Sequence, residues 1–360
     1  MDLEKLKSTA QAMVAPGKGI LAMDESSPTC QKRFDALGIP STEEMRREYR
    51  TMLVTTPGLG EYIGGAILFD ETLRDNTLSG KSFVEVLEEQ GVVPGIKVDT
   101  GAKELALRSD EKVTEGLDGL GPRLAEYAEK GARFAKWRAV YTVTDALPSQ
   151  ACYSANAHGL ARYAALCQAH GLVPIVEPEV LMDGGHDLTR SFEVTQHAQQ
   201  LVFEALANQG VNLEGIVLKP SMVISGSEAS DRAGAEEVAR ETLRCLYSTV
   251  PPAVPGIAFL SGGQSDEEAT THLNAMNNLD SSLPWAVTFS YGRALQAAAM
   301  KTWAGDHANF DAAQTVVSHR ARMNGLAAQG HYTPELETVS YTHLRAHETS
   351  LHLVCRLLLE

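Results

Sequence analysis

The chain has 360 residues, 44% of them hydrophobic, and carries 46 acidic against 31 basic side chains for a net charge of -15. This is the composition of a globular protein with a sizeable core. The acidic balance excludes non-specific binding to nucleic acid or to an anionic membrane, so cations that serve an anionic ligand must be gathered locally.

In chain order, eight short apolar segments are of strand length, most of them ending in polar or charged residues: Gly19 to Asp24, Ala66 to Asp70, Gly95 to Asp99, Arg133 to Arg138, Val173 to Glu179, Gly215 to Lys219, Gly256 to Ser261 and Ala286 to Ser290. Longer stretches with helical spacing lie between most of them. Pro122 to Gly131 places Leu124, Tyr127 and Ala128 on one side, and Ala155 to His170 does the same with Leu160, Tyr163, Ala164 and Cys167 before Gly171 closes it. Asp183 to Gln209 and Asp231 to Tyr247 follow suit, and Ser265-Asp-Glu-Glu268 has capping-box spacing at the start of a further helix. Eight alternations of strand and helix point to a single closed (β/α)8 TIM barrel of the α/β class, with the open doubly wound sheet as the competitor. Nothing reads as a linker or a short-period repeat, so one domain is expected.

Active sites of such barrels lie at the carboxyl ends of the strands, and side chains two apart on a strand share a face. Lys97 with Asp99, Lys136 with Arg138, and Glu177 with Glu179 are therefore same-side pairs. The most telling segment is Gly215-Ile-Val-Leu-Lys-Pro-Ser221, an apolar run that delivers one lysine to its end and is halted by Pro220. An amine in so poorly solvating a place is disfavoured in its charged form, which makes Lys219 a candidate nucleophile. A lone charged residue at a strand end is ordinarily a solvated edge or an ion-pair partner. The convergence of Asp24, Lys97, Lys136, Glu177 and Lys219 on one rim is different, because charges crowded in a pocket are costly unless they serve a ligand or one another.

Phe259-Leu-Ser-Gly-Gly-Gln264 is an independent signal. Its two glycines permit close backbone approach, and it leads into the helix capped at Ser265. In the next loop, Phe289-Ser-Tyr-Gly-Arg293 places Arg293 at a helix start. Loops after the seventh and eighth strands are the usual phosphate cradle of these barrels. Gly262 and Gly263 alone would make a simple turn; beside Arg293 they read as a phosphate site.

Other matches fail on context. Gly17-Lys-Gly19-Ile-Leu-Ala22 has the glycines of a dinucleotide fingerprint but precedes a strand instead of opening a helix. His343 and His347 have the helical spacing of a metal pair without a third ligand, so neither a metal nor a cofactor is expected. His186 beside Asp187 reads as a hydrogen-bonding loop residue. Cys30, Cys152, Cys167, Cys245 and Cys355 are odd in number and lack C-x-x-C spacing, which fits a reducing compartment. No signal-peptide core and no bilayer-length apolar run is present. A soluble cytoplasmic protein is expected, or an organellar one, such as a plastid protein, if a targeting segment has been lost.

Seven segments, Pro16-Gly-Lys-Gly-Ile-Leu-Ala-Met-Asp-Glu-Ser26, Gly95-Ile-Lys-Val-Asp99, Phe134-Ala-Lys-Trp-Arg138, Ile175-Val-Glu-Pro-Glu179, Val217-Leu-Lys-Pro-Ser221, Phe259-Leu-Ser-Gly-Gly-Gln264 and Ser290-Tyr-Gly-Arg293, resemble the motifs of class I fructose-bisphosphate aldolase in that family's order, over about residues 1 to 335. The resemblance implies that Lys219 forms a Schiff base with the ketone carbon and that Glu177 handles protons as it forms and breaks. Asp24, Lys136 and Glu179 would position and polarise the hydroxyls and the scissile bond. The same resemblance places the C1 phosphate of a ketose on Ser261, Gly262, Gly292 and Arg293, with Gly263 beside them. It places the C6 phosphate on Ser26, Arg33 and Lys97, with Thr29 where the family often has serine. Arg138 matches a basic site near one of the phosphate ends.

The implied reaction is metal-independent, reversible cleavage of fructose 1,6-bisphosphate to dihydroxyacetone phosphate and glyceraldehyde 3-phosphate, by a homotetramer. Glycolysis, gluconeogenesis and the Calvin cycle all use it. Two alternatives are a different Schiff-base aldolase, such as a transaldolase-like enzyme, and a non-catalytic sugar-phosphate-binding or scaffold protein on the same barrel. Two separated basic clusters fit a bisphosphate better than a carboxylate substrate. The departure from the family is the C-terminus. Animal members end in a mobile tail with a tyrosine that assists a proton transfer, whereas this chain ends Cys355-Arg-Leu-Leu-Leu-Glu360. The barrel is therefore assigned to residues 1–338. Residues 339–360 read as a non-family tail, resembling translated adapter or vector sequence joined to a truncated reading frame, and neither Tyr332 nor Tyr341 is assigned the tail role.

Overall fold

A computed structural model describes residues 2–338 of the chain. Eight parallel strands close into a barrel in sequence order: β1 (Gly19–Met23), β2 (Ile63–Leu68), β3 (Val93–Lys97), β4 (Phe134–Tyr141), β5 (Val173–Val180), β6 (Val217–Leu218), β7 (Gly256–Phe259) and β8 (Ala286–Tyr291). Pairing of Ile20 with Ser290 joins β8 back to β1. All eight strands fall where the sequence places them, and closure of the sheet excludes the doubly wound alternative.

The differences lie at the element ends. β2 starts at Ile63, ahead of the expected Ala66, because Gly64 lets the sheet pass close to the Ala12 and Met13 carbonyls. It stops at Leu68, and Asp70 instead opens the short helix Asp70–Arg74. β6 is cut to two residues, since a 3-10 turn takes Leu213–Gly215 and Pro220 has no N–H for the ladder. Lys219 N–H nevertheless donates to the Val176 carbonyl at 2.8 Å, which holds the lysine in the line of the sheet.

Between the strands run the expected helices, observed as Leu120–Glu129, Gln150–Ala169, Leu188–Asn208, Ala235–Thr249 and Asp266–Leu279. The second begins ahead of Ala155 because Ser149 caps it, accepting from Cys152 N–H. The third begins later than Asp183, where Asp187 accepts from Arg190 N–H; the two glycines at 184 and 185 keep the preceding residues in a loop. At Ser265 both arms of the capping box form. An antiparallel hairpin, Ala102–Leu105 with Arg108–Thr114, was not anticipated, because its largely exposed strands carry charges where an apolar pattern would be sought. It is fastened by the buried Glu111 carboxylate, which accepts from Ser149 N–H at 2.7 Å and Ser149 Oγ at 2.6 Å.

The barrel interior changes character along its axis. Phe134, Lys136 and Arg138 follow one another on one face of β4, as do Val173, Ile175, Glu177 and Glu179 on β5. The apolar members, with Ile20, Ile67, Val217 and Ala258, cluster with Leu6, Ala10 and Met13 of the N-terminal helix Leu3–Met13. That helix presents one apolar face to the strand starts. Each large side chain fully buried there contributes about 1.5–3 kcal/mol. Gly95 on β3 makes room for the Phe134 ring, which a Cβ would overlap. With the amino-terminal mouth plugged by hydrocarbon, the charged residues are left to the carboxyl-terminal mouth.

No helix among the described residues is long and apolar enough to cross a membrane. Cys30, Cys152, Cys167 and Cys245 are buried free thiols. Cys355, His343, His347, Tyr341 and the tail assignment at 339–360 lie outside the described residues.

Candidate active site

Each strand brings its polar residue to the mouth by register. Lys97 on β3 pairs with Lys136 on β4, and Arg138 pairs with Glu177 on β5. Lys136, Glu177 and Lys219 are each under 5% exposed. They form an ion-pair chain: Lys219 Nζ lies 3.1 Å from Glu177 Oε1, Glu177 Oε2 lies 3.0 Å from Lys136 Nζ, and Lys136 Nζ lies 3.0 Å from Asp24 Oδ2. One carboxylate is therefore shared by two amines.

The electrostatics follow from the geometry. Burial by itself would raise the Asp24 carboxyl, but the Lys136 and Lys219 cations outweigh it and hold the group at about 2. Burial would also raise Glu177, and again Lys136 and Lys219 prevail and lower it. Lys136 is shifted the other way: burial opposes its charge, yet Asp24 and Glu177 keep it protonated beyond the usual range. Glu177 is thus an ionised base within hydrogen-bond reach of the Lys219 amine, as proton transfer requires.

A second group surrounds the first. Lys97 Nζ lies 2.9 Å from Asp99 Oδ1 and donates to the Asp99 carbonyl at 3.2 Å; Arg138 pairs with Glu179. Glu25 and the N-cap Ser26 lead from Asp24 into the helix Ser27–Asp35; Ser26 Oγ and Thr29 Oγ1 are 3.1 Å apart, and Arg33 Nη1 lies 2.5 Å from Glu25 Oε1. After β7, Gly262 takes a φ of +57° that reverses the chain without side-chain strain. Arg293 opens the helix Arg293–Trp303 behind Gly292 and donates across to the Gly262 carbonyl, so the loops after β7 and β8 are joined. Gly263 faces Met182, whose Sδ would be 3.3 Å from an added Cβ.

The sequence-derived residues are therefore brought together as three clusters: the amine and carboxylate chain, the Ser261 to Arg293 loop pair, and the Ser26, Thr29 and Arg33 face. Among the described residues no hydrogen bond or ion pair links that last face to Lys97. His186 differs from expectation: among the described residues its buried Nδ1 has no hydrogen-bond partner, while its backbone carbonyl accepts from Gly226 N–H. Tyr332 is buried, with its hydroxyl donating to Glu337 at 3.1 Å. Two supporting residues carry no motif of their own in the sequence: Glu25, which accepts from both Arg33 and Gln296, and Gln264, which supports the loop after β7. Their positions, beside Asp24 and at the end of the Gly-Gly turn, were the available signals. No group of three or more His, Cys, Asp or Glu side chains among the described residues could hold a metal ion.

A closed parallel barrel with a buried amine against a carboxylate at its carboxyl-end mouth, flanked by basic loops, defines a (β/α)8 enzyme with a lysine-centred candidate site. Residues 5–350 match the family described as fructose-bisphosphate aldolase class-I, and the chain belongs to that family. It is 58% identical over 331 residues to a probable fructose-bisphosphate aldolase class 1 of Xanthomonas axonopodis pv. citri, covering 92% of this chain and 99% of that one. It is 53% identical over 335 residues to the chloroplastic fructose-bisphosphate aldolase 2 of Arabidopsis thaliana, covering 93% and 83%. Among solved structures, fructose-bisphosphate aldolase from Plasmodium falciparum, in a ternary complex with TRAP and a small-molecule inhibitor, superposes with a TM-score of 0.90 at 49% identity, covering 92% of this chain and 95% of that one.

Proposed function

We propose that the chain catalyses reversible cleavage of fructose 1,6-bisphosphate to dihydroxyacetone phosphate and glyceraldehyde 3-phosphate through a Schiff base on Lys219, without a metal. The observation that carries this is the unbroken Lys219, Glu177, Lys136, Asp24 chain at the barrel mouth. Glu177 takes a proton from Lys219, and the freed amine adds to C2 of the ketose. Returning that proton to the departing hydroxyl releases water and leaves a protonated imine. Removal of the C4 hydroxyl proton then breaks the C3 to C4 bond, and its electron pair moves into the imine to give an enamine as glyceraldehyde 3-phosphate leaves. Protonation at C3 and hydrolysis of the imine release dihydroxyacetone phosphate and restore Lys219.

Asp24, Lys136 and Glu179 position and polarise the hydroxyls around the scissile bond. The C1 phosphate sits on Ser261, Gly262, Gly263, Gly292 and Arg293, and the C6 phosphate on Ser26, Thr29, Arg33 and Lys97, with Arg138 near a phosphate end. Family membership supports a homotetramer, which sedimentation velocity tests. The bacterial relatives support a cytoplasmic setting, whereas the Arabidopsis relative is chloroplastic.

A coupled assay with a chelator present tests the activity: turnover of fructose 1,6-bisphosphate should be unaffected. Loss of turnover that added metal restores would contradict the Schiff-base assignment.

A further inference from the structure

We propose that Gln264, locked by His272, is a positioning residue that aims the Gly262 N–H at the anion bound after β7. The proposal deepens the C1 phosphate site above and rests on it for the identity of the anion.

The Ser261 carbonyl accepts two hydrogen bonds, from the Gln264 backbone N–H at 3.0 Å and from Gln264 Nε2 at 3.1 Å. In a planar trans peptide the C=O and the following N–H point in opposite directions. Tying Ser261 O down to Gln264 therefore turns the Gly262 N–H the other way, out of the supporting structure. The next peptide is fixed by the same logic, since the Gly262 carbonyl accepts from Arg293. Among the described residues neither Gly262 N–H nor Gly263 N–H donates to the backbone or a side chain. Successive free N–H groups at a chain reversal with a left-handed residue form the kind of concavity that takes an oxyanion.

Gln264 is not free to rotate away. It is buried, its Nε2 also lies 3.7 Å from Met222 Sδ, and its Oε1 lies 2.6 Å from His272 Nδ1. With Nε2 committed to donating, Oε1 must accept, so the imidazole carries its proton on Nδ1. His272 sits on the helix Asp266–Leu279 that follows the loop and is only 4% exposed. Orientation is thus passed from His272 to Gln264, to the Ser261 carbonyl, and through the peptide plane to the Gly262 amide. Among the described residues no hydrogen bond or ion pair joins the four residues of the ion-pair chain to this relay, so it acts on anion binding and not on proton transfer.

The test compares Gln264→Leu, His272→Phe and His272→Asn with wild type, reading inorganic phosphate affinity by calorimetry and KM against kcat for fructose 1,6-bisphosphate. Gln264→Leu and His272→Phe should each weaken phosphate binding and raise KM about tenfold while kcat changes less than about threefold. His272→Asn places an amide N–H near the position of Nδ1 and should stay within about twofold of wild type in both readouts. Thermal melting checks folding, and if Gln264→Leu does not fold, the two His272 variants decide the matter alone. The assignment is overturned if phosphate affinity in Gln264→Leu and His272→Phe stays within about twofold of wild type. It is equally overturned if kcat falls with KM unchanged, or if His272→Asn fails as badly as His272→Phe. Should wild type bind phosphate without cleaving the sugar, the proposed activity fails, and the calorimetry still decides the role of Gln264.

Discussion

Glu177 faces Lys219 through one carboxylate oxygen, Oε1 at 3.1 Å from Nζ, while its other oxygen lies 3.0 Å from Lys136 Nζ as an ion pair without a hydrogen bond. The carboxylate can therefore exchange a proton with the Lys219 amine without turning. Glu177→Gln keeps the shape and removes the base. Its kcat should fall about 10²–10⁴-fold, with the fold intact by circular dichroism. A variant with near wild-type kcat would remove Glu177 from the proton-transfer role.

Asp24 gives the site a signature in acid. Its folded-state value of about 2 lies below the ordinary 3.8, so its stabilising contribution is complete above about pH 4 and is lost as the pH falls toward 2. The stability advantage of wild type over Asp24→Asn should shrink by about 2 kcal/mol across that window. Urea midpoints at both ends of the window measure it, and a gap that does not change with pH would contradict the ion-pair origin of the shift.

Arg33 and Arg293 are assigned to opposite ends of the sugar. Arg33→Ala should raise KM for fructose 1,6-bisphosphate about tenfold and leave KM for fructose 1-phosphate nearly unchanged. Arg293→Ala should raise KM for both sugars. Parallel steady-state kinetics on the two substrates check this, and a monophosphate KM that rises with Arg33→Ala would reverse or merge the two phosphate assignments.

Gly95 tests the barrel packing independently of the chemistry. An alanine Cβ would overlap the fully buried Phe134 ring. The strain should cost about 1–3 kcal/mol, read as a lower melting temperature. Recovery in the double variant Gly95→Ala with Phe134→Leu would locate the strain at that contact; an unchanged melting temperature in the single variant would deny it.

Much of the site is legible in the sequence because strand geometry makes it so. Alternation carries Phe134, Lys136 and Arg138, and likewise Ile175, Glu177 and Glu179, from hydrocarbon to charge along one face, and closure of the barrel brings those ends together. The Ser261 to Arg293 loop pair was legible through its glycines and its place after the last two strands. What stayed hidden depends on tertiary partners without a local pattern. The charged hairpin at Ala102–Leu105 and Arg108–Thr114 offers no apolar period, and its anchor Glu111 has no meaning until Ser149 is placed beside it. Gln296 reaches the Ala22 carbonyl and accepts from Tyr49, contacts spanning most of the chain. His272 looks like one more polar residue on a helix until the fold sets it against Gln264.

The most direct measurement is mass spectrometry of the protein after borohydride reduction in the presence of dihydroxyacetone phosphate. A single reduced triose phosphate adduct should appear on the peptide containing Lys219 and be absent from a folded Lys219→Met variant. An adduct on Lys136, Lys97 or any other lysine, or turnover without an adduct, would contradict the Schiff-base site.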